Sequence, residues 1–215
     1  MNRHQTKWLV KYEPKTLSDM VLNSTTRMML ERIERNPRHM MLYGPPGTGK
    51  NTFVNILEQN ERYNFFKINA GLNGGIDMVR DGAGKGSSVA SICMMAGRVL
   101  YHPIARPVQQ FIIYNEAEKI SADAMVALRE IIETTAAIFI FLANDINNID
   151  PAILSRTIDI EYKNPNTADI RQFAQSVLDS EGATIPGRLL NQILTPVNGS
   201  VDMRKIIEKL EFYAE

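Results

Sequence analysis

The sequence predicts an α/β protein, a parallel sheet with helices on both faces followed by a small three-helix domain. Three observations carry that reading. Up to Tyr162, short β-rich apolar runs alternate with helical patterns, and such alternation places parallel strands side by side under crossover helices. After it, Lys163-Asn164-Pro165-Asn166-Thr167 forms a turn-rich break with no convincing strand beyond. A length of 215 residues holds one domain of about 150 residues with a small satellite, and not two of full size. The expected boundaries are therefore 1–163 and 164–215.

Taken in order, HMMLY (from His39), NFFKIN (from Asn64), QQFIIY (from Gln109), AIFIFLA (from Ala137) and IDIEY (from Ile158) each suit a strand buried on both faces. Helical patterns lie between them. One follows a glycine loop from Lys50, and another runs from Ile76 to about Val99 with glycine interruptions. A third follows Ser121, a natural N-cap, and places Met125, Leu128 and Ile132 on one face. In the last segment Ala168 to Ser180, Gly187 to about Leu194 and Val201 to Ala214 read as helices, separated by Glu181-Gly182 and by Pro196 through Gly199. A domain of that size is marginal alone, so it is expected to pack on the α/β part.

Composition narrows the class. With 44% apolar and 22% charged residues the chain is globular, and disorder, collagen and coiled coil are excluded. Basic and acidic residues balance at 24 each, so any polyanionic partner is met locally and not by net charge. Cys93 is the lone cysteine and His4, His39 and His102 form no metal or nucleophile constellation, which points to a reducing compartment. Neither a signal peptide nor an apolar run of spanning length is visible, so no membrane partner is expected and the location is cytoplasmic, the host cytoplasm if the source is a phage. The pairs Met28-Met29, Met40-Met41 and Met94-Met95 read as core filler.

Gly44 to Asn51 reads GPPGTGKN, directly after HMMLY and before a helical run. A Walker A phosphate loop needs that context. Gly44, Gly47 and Gly49 let backbone N–H groups turn inward around phosphate oxygens, with Pro45, Pro46 and Thr48 completing the turn. Lys50, at the helix N-terminus, reaches the outer phosphates. The residue after such a lysine is ordinarily Ser or Thr, whose hydroxyl binds Mg²⁺, and here it is Asn51. Thr52 points about 100° further round the helix, away from the metal position but toward another phosphate oxygen.

Phe111 through Glu116 (FIIYNE) has the shape of a Walker B strand. Glu116 suits the carboxylate that activates water, while Asn115 stands where an Asp would address Mg²⁺. Both metal-directed positions are amides. Each such loss is expected to cost about 10- to 100-fold in metal affinity or activity, leaving nucleotide binding through the backbone and Lys50 with slow hydrolysis.

These motifs resemble the AAA+ ATPases, and within them the small subunits of DNA-polymerase sliding-clamp loaders of the replication factor C and bacteriophage type. WLVKYEPKTL, from Trp8, is similar to the family's adenine-pocket segment, which implies a place for Tyr12 and Pro14 there, although Glu13 stands where Arg is usual. GIDMVR, Gly75 to Arg80, resembles a segment that opens a DNA-facing helix and makes Arg80 a candidate phosphate contact. Asn144 resembles sensor 1. Leu154-Ser155-Arg156-Thr157 resembles the Ser-Arg-Cys box, whose arginine enters the neighbouring subunit's site, and Val201-Asp202-Met203-Arg204-Lys205 resembles the sensor 2 helix, which puts Arg204 on the nucleotide. Bland readings stand beside these: Arg156 as a surface arginine ending a short helix, Arg204 as a charged helix position, Asn144 as a cap for the loop 145–150, Glu116 as a solvated strand-end carboxylate.

The resemblance implies an ATP-binding subunit that works with other AAA+ subunits to open a sliding clamp and place it on primed double-stranded DNA, with ATP and Mg²⁺ as cofactors. The helical collar domain usual in such subunits is absent from the sequence. Two alternatives stay open: a catalytically degenerate structural subunit whose Arg156 serves a competent neighbour, or another replication ATPase such as a helicase loader.

Overall fold

A computed structural model describes residues 7–73, 75, 79, 109–197 and 199–214. The chain divides into two compact units. One comprises Met29–Gly44 and Leu57–Glu161, the other Met1–Met28, Pro45–Ile56 and Tyr162–Glu215.

The first unit holds the sheet. Strands β1 (Met40–Tyr43), β2 (Tyr63–Asn69), β3 (Gln109–Asn115), β4 (Ile138–Ala143) and β5 (Ile158–Glu161) are ordered β2-β3-β4-β1-β5. Every pairing is parallel. Successive strand residues point to opposite faces, so Met40, Met41 and Leu42, all fully buried, and Phe139 through Leu142 with them, mean that both faces are covered. This is the α/β architecture the sequence predicts. Stacked rings of Tyr114, Phe139 and Phe141 run across β3 and β4, and each fully buried phenylalanine contributes about 1.5–3 kcal/mol. Helix Ala122–Thr134 begins at the Ser121 cap, whose side chain accepts from the Ala124 N–H, and buries Met125, Leu128 and Ile132 against the sheet core.

His39, assigned no role from sequence, ties three strands. Its carbonyl accepts from the Ile158 N–H at 2.9 Å and its Nδ1 from the Phe139 N–H at 3.1 Å. Nδ1 must be unprotonated to accept, and burial pushes the imidazole below its usual value.

Strand order decides where chemistry gathers. In register, Tyr43 lies opposite Ala143 and Asn115 opposite Leu142, so the carboxyl ends of β3, β4 and β1 are neighbours. The Gly44 N–H continues the pattern, donating to the Ala143 carbonyl at 3.3 Å. Ligands in open parallel sheets bind at such edges.

The second unit is helical around its own core. Helix Thr167–Glu181 buries Ile170, Ala174, Val177 and Leu178, helix Gly187–Leu194 buries Leu190, Ile193 and Leu194, and helix Met203–Tyr213 adds Ile206 and Leu210. Trp8 and Tyr12 of the short helix segment pack on it. Asn166 caps the first helix and Gly182, at φ 64°, ends it in the left-handed conformation that glycine takes freely. The last helix starts two residues later than its apolar pattern, because Asp202 caps it by accepting from the Arg204 and Lys205 N–H groups.

Helix Ser24–Arg35 has no counterpart among the patterns read from sequence. Met40 and Met41 are core residues, but Met28 is 46% exposed, which corrects its reading as filler: it lies on the outward face of that helix. Cys93, Met94-Met95 and the helical pattern beyond Val79 lie outside the described residues. Among the described residues no helix is long and apolar enough to cross a membrane.

Candidate phosphate loop and strand-end carboxylates

The phosphate loop belongs to the helical unit from Pro45 onward. Gly44, Gly47 and Gly49 have φ of 140°, 78° and 101°, values that side chains rarely tolerate. Helix Lys50–Glu58 starts immediately after them. Inside the turn the Pro45 carbonyl accepts from Lys50 Nζ at 2.9 Å and from the Thr48 hydroxyl at 2.8 Å, and both side chains are buried. The loop is thus closed on its own backbone, with the ammonium drawn inward at a helix N-terminus. Pro46 and Asn51 are exposed and Thr52 is half-buried.

An unforeseen residue presses on this loop. A Cβ at Gly47 would fall 2.1 Å from the Asp202 Cγ, and the Met203 N–H donates to the Gly47 carbonyl at 3.2 Å. Arg204 lies 3.7 Å from Asp202 through Nε, its side chain 62% exposed. In the same unit the Tyr12 hydroxyl donates to Glu181 Oε1 at 2.6 Å, as does Lys11 Nζ at 2.6 Å. Lys11, then Tyr12, hold the Glu181 carboxyl below the usual carboxylate range, while burial, then Glu181, push the Tyr12 phenol up. Glu13 accepts from the Asn55 amide at 3.3 Å, and Pro14 is half-buried beside it in sequence.

The strand ends of the sheet unit hold the other candidates. Asn115 Oδ1 is buried without a hydrogen-bond partner among the described residues. Glu116 sits at φ 56°, ψ 48°, the left-handed region, and is the one such non-glycine among the described residues. Strain of this kind gathers at functional positions. Its carboxylate pairs with Lys119 at 2.5 Å and lies against Gly71, where a Cβ would fall 2.6 Å from Oε2. Asn144 is bonded to Glu118 through its backbone N–H at 3.4 Å and Nδ2 at 3.0 Å.

Arg156 follows helix Pro151–Leu154. Its guanidinium bonds Glu133 twice, once at 2.8 Å through Nε, and donates from Nη1 to the Ala152 carbonyl at 2.6 Å. Nearby Arg129 pairs with Asp150 and holds its carboxyl below the usual range. Residues Lys119, Glu118, Glu133 and Asp202 were not singled out from sequence, because their partners are distant in the chain or their acidity reads as ordinary surface charge. Arg80 lies outside the described residues. Among the described residues no group of three or more His, Cys, Asp or Glu is placed to hold a metal ion.

A parallel sheet whose first strand runs into a glycine loop that closes over a buried lysine defines the P-loop nucleotide-binding class. The pattern of the ATPase family associated with various cellular activities (AAA) matches residues 40–165, and the chain belongs to that family. It is 28% identical over 213 residues to replication factor C subunit 3 of Oryza sativa subsp. japonica, covering 95% of this chain and 56% of that protein. It is 30% identical over 216 residues to replication factor C small subunit 2 of Pyrobaculum arsenaticum, with 96% and 63% covered. To replication factor C subunit 3 of Schizosaccharomyces pombe it is 30% identical over 213 residues, with 95% and 58% covered. The chain therefore spans about three fifths of the length of these relatives. Among solved structures, the RuvB Holliday junction branch migration motor of Thermotoga maritima has the same fold, at a TM-score of 0.66 and 16% identity over 93% of this chain and 64% of that one.

Proposed function

We propose that this chain is an ATP-binding subunit of a clamp-loader-type assembly, which opens a sliding clamp and sets it on primed double-stranded DNA during replication together with other AAA+ subunits. The observation that carries nucleotide binding is the loop closed on Lys50, with three positive-φ glycines ahead of the helix. The replication factor C relatives, aligned along nearly the whole chain, support the rest. On this reading residues 1–163 form the nucleotide-binding domain and 164–215 the lid.

Loop backbone N–H groups and Lys50 bind the phosphates, and Thr48 and Thr52 are the hydroxyls closest in sequence to that task. Tyr12 and Pro14 belong to the adenine side and Arg204 to the lid's contact with the nucleotide. Glu116 takes the proton of the attacking water as the bond from the γ-phosphorus to the leaving ADP oxygen breaks, giving ADP and phosphate. Asn144 addresses the γ-phosphate, and Arg156 serves the adjoining subunit's nucleotide, since an arginine finger acts in trans and is worth about 10³–10⁵ in rate.

Mg²⁺ neutralises phosphate charge when bound. The two positions that the resemblance directs at the metal are neutral: the Asn51 amide, exposed, and Asn115 Oδ1, a buried acceptor without a hydrogen-bond donor among the described residues. An amide oxygen is a metal ligand of the right hardness, but it brings none of the carboxylate charge that such sites ordinarily supply. Weak Mg²⁺ binding and slow turnover follow, and these two amides favour the second reading, a catalytically degenerate structural subunit, nucleotide-locked or nucleotide-free, that lends Arg156 to a competent neighbour.

Calorimetric titration of the chain with ATP, in Mg²⁺ and then in EDTA, separates the two. Binding strengthened by Mg²⁺, with hydrolysis at this site in the assembled complex that rises in the Asn51→Thr/Asn115→Asp double variant, supports a working ATPase. Binding indifferent to Mg²⁺, or no ATP binding, moves the conclusion to the structural subunit. Capture of a sliding clamp distinguishes either from a helicase loader.

A further inference from the structure

We propose that Glu118 is a positioning residue for Asn144, holding that side chain in one orientation before nucleotide chemistry begins. The inference rests on the reading above that Asn144 addresses the γ-phosphate.

Glu118 lies in the single turn Ala117–Lys119 after β3, and Asn144 directly follows β4, its neighbour in the sheet. One carboxylate oxygen, Oε1, takes both the Asn144 backbone N–H and its Nδ2. A shared acceptor fixes the side chain relative to its own backbone, with Nδ2 toward Glu118 and the amide carbonyl turned the other way. Asn144 is exposed, so without the tie its short side chain samples several staggered rotamers. Preorganisation of a group that acts in a transition state is worth more than contact alone, because no reorganisation is needed at the moment of reaction.

The second oxygen is the informative one. Glu118 Oε2 is buried and has no hydrogen-bond partner among the described residues. Leaving a buried charged acceptor unsatisfied is unfavourable, and such exceptions in a folded chain call for a reason beyond packing. A charged acceptor makes a stronger bond to an amide than a neutral one does, so the unfavourable burial is matched by a firmer hold on Asn144. Lys119, the next residue, does not answer that charge with a hydrogen bond, since its ammonium goes to Glu116. Two carboxylates two residues apart thus divide the work: Glu116 is held for the water and Glu118 for the amide.

The test uses the full chain labelled with ¹⁵N. The Asn144 side-chain amide is assigned by its disappearance in Asn144→Ser. In the unsubstituted protein its bonded proton exchanges with water about 10-fold or more slowly than that of the exposed Asn148 amide, as a hydrogen bond to a charged group implies. Glu118→Ala brings the two to the same rate, whereas Glu118→Gln, which keeps an acceptor oxygen of the same shape, retains part of the protection. Single-turnover hydrolysis at this chain's site in the assembled complex, where a neighbour supplies its arginine, is the second readout. Glu118→Ala slows it about 10-fold while ATP affinity stays within about twofold, and adding Asn144→Ala brings no further loss, because the pair acts as one unit. An unprotected Asn144 amide in the unsubstituted chain, protection that survives Glu118→Ala, or rate losses that simply add overturns the proposal. Absence of hydrolysis at this chain's site in the assembled complex, unaltered by Glu116→Gln, refutes the catalytic reading instead, and the exchange rates still decide whether Glu118 holds Asn144.

Discussion

The phosphate loop and the strand ends hold their functional groups by different means. In the loop the partners are backbone: Lys50 and Thr48 share the Pro45 carbonyl, and Gly47 receives the Met203 N–H. At the strand ends the partners are side chains, Lys119 for Glu116, Glu118 for Asn144 and Glu133 for Arg156. Backbone partners, whether near in the chain like the Pro45 carbonyl or distant like the Met203 N–H, do not depend on which side chain a position carries and survive most substitutions nearby. Side-chain partners depend on residues up to 26 positions away, as with Glu118 and Asn144, and each is lost with one change.

That contrast is open to test. The largest effect is expected from Arg156→Ala in the assembled complex, where turnover at the adjoining site falls by about 10³–10⁵ with this chain's own ATP affinity unchanged. A loss of affinity instead would place Arg156 in its own subunit's site. Next, Glu116→Gln is expected to slow any hydrolysis by about 10²–10⁴, the range for a lost general base, and to leave calorimetric ATP binding intact. On the loop side, Lys50→Met removes a charged donor and weakens ATP binding by about 10- to 100-fold, measured in the same titration with melting temperature as the control for folding.

Smaller effects test the scaffold. Gly47→Ala meets both a φ of 78° and the Asp202 carboxylate, so it is expected to lower unfolding free energy by about 1–3 kcal/mol. Gly75→Ala, at a position where a Cβ meets nothing within 4 Å, should leave denaturant midpoints unmoved. The smallest is a pH effect at His39. Burial depresses its folded value below the ordinary 6.5, so between those values the unfolded chain binds a proton that the folded chain refuses. Stability is full above about pH 6.5 and is lost as pH falls toward the folded value. Melting curves at pH 7.5 and 5.5 should differ more for the native chain than for His39→Asn, which keeps an acceptor but does not titrate.

The same contrast explains what was legible. GPPGTGKN declares the loop because glycines at fixed offsets have a local conformational reason, and the apolar runs declare the strands, but burial on both faces holds only for the inner β1, β3 and β4: the edge strands β2 and β5 expose Asn64, Lys67, Asp159 and Glu161, which corrects the expectation for those two. Ser121 and the face of Met125, Leu128 and Ile132 were readable for the same cause, a periodicity within one element. The pairing of Glu118 with Asn144 had no such signal, since NEAEK looks like a solvated turn until β4 is placed beside β3. Asp202 was read only as a neighbour of Arg204, and its contact with Gly47 appears only when helix Met203–Tyr213 is folded back. Helix Ser24–Arg35 buries Thr26, Leu30 and Ile33 on one face, and the threonine in that set interrupts the apolar pattern by which such a face is recognised in a sequence.

One feature of the strand ends reaches into how this protein can change over time. Glu116 occupies a left-handed backbone conformation that disfavours an ordinary side chain by about 1–2 kcal/mol and suits glycine. A Glu116→Gly chain should therefore melt at a higher temperature than the native one while losing the carboxylate. If Glu116 is the base proposed above, selection for robustness alone would drift this position toward inactivity, and stability and activity would pull the same codon in opposite directions.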